Sequence, residues 1–108
     1  MKRCTNRDFN VRIDTPLLRF LVVPYITDIS GKQTVTEGDD VMLDCVATGN
    51  PTPNIKWTKL PENVVVTMPL TRIRRQDTGE YRCTADNGIG SPAFGNVLII
   101  LDGEFFLL

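Results

Sequence analysis

A chain of 108 residues, 42% apolar and 23% charged with a formal net charge of −1, has room for one domain around a single core. It carries no overall field that would draw it to nucleic acid or an anionic membrane. No histidine occurs, which removes the commonest general base and the commonest metal ligand, and no stretch reaches the ~18 apolar residues of a membrane span.

The chain opens with MKRCTNRDFNVRIDTPLLRFLVVPYI, basic at its start as a secretory signal is. Asn, Arg and Asp interrupt it, and its apolar run, LLRFLVV, is too short and too charged for a signal or a span. Residues 1–22 hold five Lys/Arg against two Asp, while residues 23–108 hold seven against eleven Asp/Glu. Such a basic block is expected to be a solvated lead, disordered or artefactual, with heparin or nucleic acid the less favoured reading. The organisation is therefore a lead at 1–22, a domain at 23–102 and a tail at 103–108.

Turn punctuation recurs at short intervals: SG at 30–31, EGDD at 37–40, TGNPTP at 48–53, LPEN at 60–63, DTG at 77–79 and NGIG at 87–90. This spacing suits many short strands. Between the turns the period is two. Val41, Leu43, Cys45 and Ala47 alternate with Met42, Asp44 and Val46; Ile55 and Trp57 alternate with Lys56 and Thr58. Tyr81, Cys83 and Ala85 alternate with Arg82 and Thr84, and Val97, Ile99 and Leu101 share a side of the last apolar run. Each strand buries one face, and the architecture is all-β, two antiparallel sheets packed face to face.

Candidate chemistry reduces to structure at most positions. Gly88 and Gly90 form a GxG with no helix after it to hold a phosphate, so they read as a hairpin. Asp39, Asp40 and Asp44 are a polar turn and an outward strand position, without the six or more ordered oxygens calcium needs. The cysteines lack zinc spacing and no nucleophile has a histidine to activate it, so neither a metal nor a cofactor nor catalysis is expected. In Asn50-Pro51-Thr52 the proline blocks N-glycosylation.

Residues 35–101 resemble an I-set immunoglobulin domain of the kind repeated in cell-adhesion molecules. The matching stretches are VTEGDDVMLDC at 35–45, ATGNPTPNIKW at 47–57, MPLTRIRRQDTGEYRC at 68–83 and CTADNGIG at 83–90, with VPYI at 23–26 similar to a first edge strand. Within that family the stretches resemble the short third domain of the neural IgLON and lachesin-like adhesion proteins. The resemblance implies a Cys45–Cys83 disulfide between the sheets with Trp57 packed on it, and a tyrosine corner in which the Tyr81 hydroxyl bonds back to the upstream backbone. Leu43, Leu70, Ile73, Asp77 and Gly79 complete the family's core signature, and a basic residue such as Arg72, Arg74 or Arg75 is expected to neutralise Asp77. Only ten residues separate Trp57 from Met68, so the C′–D region should be shortened to a turn at 61–63 and one short strand at 64–66, with an ill-covered edge.

The resemblance further implies a non-catalytic extracellular recognition module of an adhesion or receptor protein, binding other proteins, possible immunoglobulin-like partners among them. The alternatives are an intracellular structural domain of the muscle type, in which the core cysteines stay reduced, and a module of a receptor tyrosine kinase ectodomain. With Val97, Ile99 and Leu101 in the core, Leu98 and Ile100 point outward, beside Arg82 and Thr84 of the neighbouring strand and Lys56 and Thr58 of the next. An apolar spot in a polar surround is the candidate binding face, unless neighbouring chain such as EFFLL at 104–108 folds over it.

Overall fold

The computed structural model describes residues 20–102. Cys4, nearly all of the basic lead and the EFFLL tail lie outside them. Seven strands follow one another: β1 (Val22–Ile29), β2 (Gln33–Val35), β3 (Cys45–Asn50), β4 (Asn54–Lys59), β5 (Val64–Val66), β6 (Gly79–Asp86) and β7 (Ala93–Leu101), with one 3-10 turn at Arg75–Asp77 before β6. They form a small sheet, β1-β3, and a five-stranded sheet in the order β2-β7-β6-β4-β5. This is the immunoglobulin sandwich that the motifs implied. β1 begins at Val22, one residue before the expected domain boundary.

The alternation read from the sequence places the core. Tyr81, Cys83 and Ala85 on β6 and Val97, Ile99 and Leu101 on β7 are all buried, as are Leu43, Trp57 and Ile73. Trp57 lies directly opposite Cys83 in the β4–β6 register, and Cys83 is bridged to Cys45 of the small sheet. The tryptophan therefore sits beside the covalent link between the sheets. Glycine is required at two points of this frame. Gly79 has φ 130°, a backbone conformation L side chains rarely adopt, at the start of β6. A Cβ on Gly95 would come within 2.7 Å of Ile29 Cδ1 and 3.2 Å of Ile26 Cδ1, the side chains β1 sends toward β7.

Three expectations are corrected. The sheets are not wholly antiparallel: β2 runs parallel to β7, Val35 opposite Leu101, a non-local pairing that local periodicity does not encode. Val41 and Leu43 are buried as expected but are not part of a regular strand; Val41 makes an isolated bridge with Leu70, the two exchanging N–H to carbonyl bonds at 2.7 and 2.8 Å. Ile55, expected inward with Trp57, is 40% exposed, because the small sheet has too few strands to cover that end of β4. The shortened region is as read: a turn over 60–63, then β5, paired with β4 and with nothing on its other side among the described residues.

Candidate protein-binding face

The outward side of the five-stranded sheet is set by register. Lys56, Thr84 and Phe94 form one row across β4, β6 and β7; Thr58, Arg82 and Asn96 form the next. Glu80 lies opposite Leu98, and Ile100 opposite Thr34 of β2. Leu98 and Ile100 therefore do not stand beside Arg82 and Thr84 as expected, but one and two rows further along. The reason is that β7 overruns β6: the last pair of that ladder is Gly79 with Ile99. The six expected residues share one sheet face but not one spot.

Phe94, absent from the sequence reading, is 58% exposed and stands where Leu98 was expected, opposite Thr84. Leu98 is 43% exposed and Ile100 half-buried. Thr58 is a correction: it is on the outward row, yet buried, because Arg82 and Val65 flank it from the two neighbouring strands. It supports the face without presenting itself to a partner.

Between the apolar ends runs a polar ladder. Asn96 Nδ2 donates to Glu80 Oε2 at 3.0 Å, and Arg82 Nε donates to Asn96 Oδ1 at 3.2 Å. The Arg82 guanidinium also lies 5.2 Å from the centroid of the Phe94 ring, a cation–π contact worth ~0.5–1 kcal/mol at an exposed site. Glu80, Asn96, Arg82 and Phe94 are each held by a neighbour across the strands, so the face presents Phe94 in a set position, with Leu98 opposite Glu80. Preorganisation of this kind lowers the ordering cost of association.

The face continues into a cleft of about 420 Å³ lined by Lys56 and Thr84 together with Pro51, Thr52, Asp86 and Asn87. Its loops are tied down by Asn87, whose Nδ2 donates to the carbonyls of Val22 at 2.8 Å and Pro51 at 2.9 Å. Asp86 Oδ1 and Asn87 Oδ1 accept the N–H groups of Gly88 and Ile89, closing the β6–β7 hairpin in which Gly88 and Gly90 both have positive φ.

Elsewhere the candidate groups are structural. Tyr81 donates its hydroxyl hydrogen to the Asp77 carbonyl, the tyrosine corner the motif implied. Burial, and secondarily the charge of Asp77, push the phenol up to about 12. The Asp77 carboxylate accepts the backbone N–H of Arg74 at 2.9 Å, a main-chain partner in addition to any basic side chain. Asp39 and Asp40 likewise accept backbone N–H groups, from Thr36 and Arg72. Among the described residues no group of three or more His, Cys, Asp or Glu could hold a metal ion. Arg72 and Arg74 line an open cleft with Glu37, Asp40 and Asp77, so their charge is interleaved with carboxylates and lies apart from Arg82. No helix among these residues is long and apolar enough to cross a membrane.

A family model described as Immunoglobulin domain matches residues 23–87. The human MAM domain-containing glycosylphosphatidylinositol anchor protein 1 is 38% identical over 76 residues, which cover 61% of this chain and 8% of that protein. The mouse Neural cell adhesion molecule L1-like protein is 36% identical over 103 residues, 86% of this chain and again 8% of that one. The chain thus spans a small fraction of the length of the curated relatives it matches. Among solved structures, Dpr11 IG1 bound to DIP-gamma superposes with a TM-score of 0.68 at 28% identity, covering 75% of this chain and 48% of that one. A complex of titin M10 with obscurin like 1 matches at 0.66 with 21% identity over 75% and 95% of the two chains, a likeness of fold alone.

Proposed function

Because the chain belongs to the immunoglobulin domain family, we propose that it is a non-catalytic recognition module of a cell-surface adhesion or receptor protein, and that it binds another immunoglobulin-like domain through the outward face of β4, β6 and β7. The observation that carries this reading is the row of exposed apolar side chains on β7, Phe94 and Leu98 with half-buried Ile100, set around the Glu80–Asn96–Arg82 ladder. Anchors of that size in a polar surround are how protein interfaces are built. Relatives named as a glycosylphosphatidylinositol anchor protein and a neural cell adhesion molecule, and a neighbour solved as one immunoglobulin domain bound to another protein, support the adhesion setting.

The test is binding of the whole chain, immobilised, to itself and to a panel of immunoglobulin-like adhesion ectodomains. Leu98→Glu combined with Ile100→Glu should abolish the interaction found while leaving the melting curve in place. Binding that survives the double substitution would end the assignment of the face. The extracellular setting is tested separately by counting free thiols on native-source chain without reductant. One free thiol, at Cys4, fits the Cys45–Cys83 bridge and an oxidising compartment; three would move the chain to the muscle-type intracellular reading.

A further inference from the structure

The two sheets are unequal, and the shortfall is local. Five strands oppose two, and the segment facing β4 and β5 reaches only the isolated Val41–Leu70 bridge. Two residues on the inward side of β4 and β5, Ile55 and Val64, are consequently bare while Trp57 between them stays buried. Val64 is 56% exposed and Ile55 40%, although the register puts Val64 in one row with buried Tyr81, across from Lys59, and Ile55 in one with buried Ala85. A cleft of about 430 Å³ opens there, lined by Met42, Leu43, Ile55, Trp57, Val66 and Met68 among others.

Beside this cleft, β5 ends the larger sheet. Among the described residues its one ladder is with β4, so within them its other edge presents unpaired backbone groups. Natural edges are usually blunted by a lysine, a proline or a bulge. Here the three residues are all valine, the pairing with β4 is regular, and Val65 is 63% exposed.

We infer that β5 is a second interaction site, at which two copies of this chain pair edge to edge about a twofold axis through Val65, joining their five-stranded sheets. A second copy is the occupant because the edge is complementary to itself. In antiparallel register Val65 meets Val65, Val64 meets Val66 and Asn63 meets Thr67, so β-branched residues face each other and no like charges are opposed. The first acidic residue outward, Glu62, falls opposite Met68. Pairing also sets the partner's Val66 beside the exposed Val64 on the inward side.

The inference is independent of the face on β7, and the experiment separates them. The full chain, in a Cys4→Ser background, is followed by sedimentation velocity over rising concentration. Dimerisation that Val65→Lys weakens about tenfold or more, and that an equimolar mixture of Val65→Lys with Val65→Glu restores as a heterodimer, supports the inference. Val65→Cys should close an intermolecular disulfide under mild oxidant, since residues directly opposite across an antiparallel pair have Cβ atoms ~4.5–5.5 Å apart. Val65 is exposed, so each variant should melt with wild type. A chain that stays monomeric throughout, or that pairs only with a different polypeptide, overturns the inference. So does a dimer lost in Leu98→Glu with Ile100→Glu but kept in Val65→Lys, and that result would leave the proposed function standing.

Discussion

The large sheet and the small sheet are stabilised differently. In the large one, β6 is laddered on both sides, to β4 and β7, and its side chains interlock outward as well as inward. The small one is two strands, β1 broken twice in register against β3, and depends on what it packs against and on the Cys45–Cys83 bridge. The difference teaches where this fold can carry a partner. A face presents side chains reproducibly when its strands are paired on both edges, and the bare places of the molecule lie where the second sheet stops short.

The largest expected effect falls where the two sheets meet. Trp57→Ala removes the ring beside the disulfide and should cost ~3–5 kcal/mol, enough to unfold a domain this small. A cooperative thermal melt near wild type would contradict the placement of the core. Reducing the disulfide comes next. It closes a separation of 38 residues, and the chain-entropy model gives about 4 kcal/mol as an upper figure. If the small sheet is the dependent one, reduction should speed amide exchange in β1 and β3 before β6 and β7; uniform acceleration would erase the contrast.

A smaller effect belongs to the tyrosine corner. Tyr81→Phe loses one buried hydrogen bond, about 1 kcal/mol. The folded phenol is raised from 10.0 to about 12, so the neutral form is favoured by folding. Its contribution is complete below pH 10 and is lost as pH rises toward 12. Denaturant midpoints across that window should fall in the wild type and fall less in Tyr81→Phe. Equal slopes would mean the hydroxyl is not what alkali disrupts. Smallest of all is the effect on stability of Leu98→Glu with Ile100→Glu, expected near zero because Leu98 is exposed and Ile100 only half-buried. A large loss would show these residues to be core.

How much was legible follows from the same contrast. Period two in Tyr81 to Ala85 and Val97 to Leu101 reported burial correctly because both strands are regular and covered. The same rule at Ile55 predicted direction but not cover, since cover depends on strands of the other sheet. Thr58 failed the opposite way: it points outward and is roofed by its neighbours. Phe94 was hidden by the adjoining Pro92 and Gly95, which look like turn; counting back from Ile100 by twos through Leu98 and Asn96 would have found it. Glu80 was passed over because the flanking Gly79 and Tyr81 dominate the motif. The parallel pairing of β2 with β7 and the anchoring by Asn87 are long-range facts that no local pattern carries.

The central claim, that the laddered face of the large sheet is where a partner binds, is tested most directly by a nuclear magnetic resonance footprint. The labelled full chain would be titrated with whichever immunoglobulin-like ectodomain it binds in the panel. The account predicts the strongest perturbations at Phe94, Leu98, Arg82, Thr84 and Lys56, with the outer side of β1 and β3 unchanged. Perturbations confined to β1 and β3, with β6 and β7 silent, would contradict it.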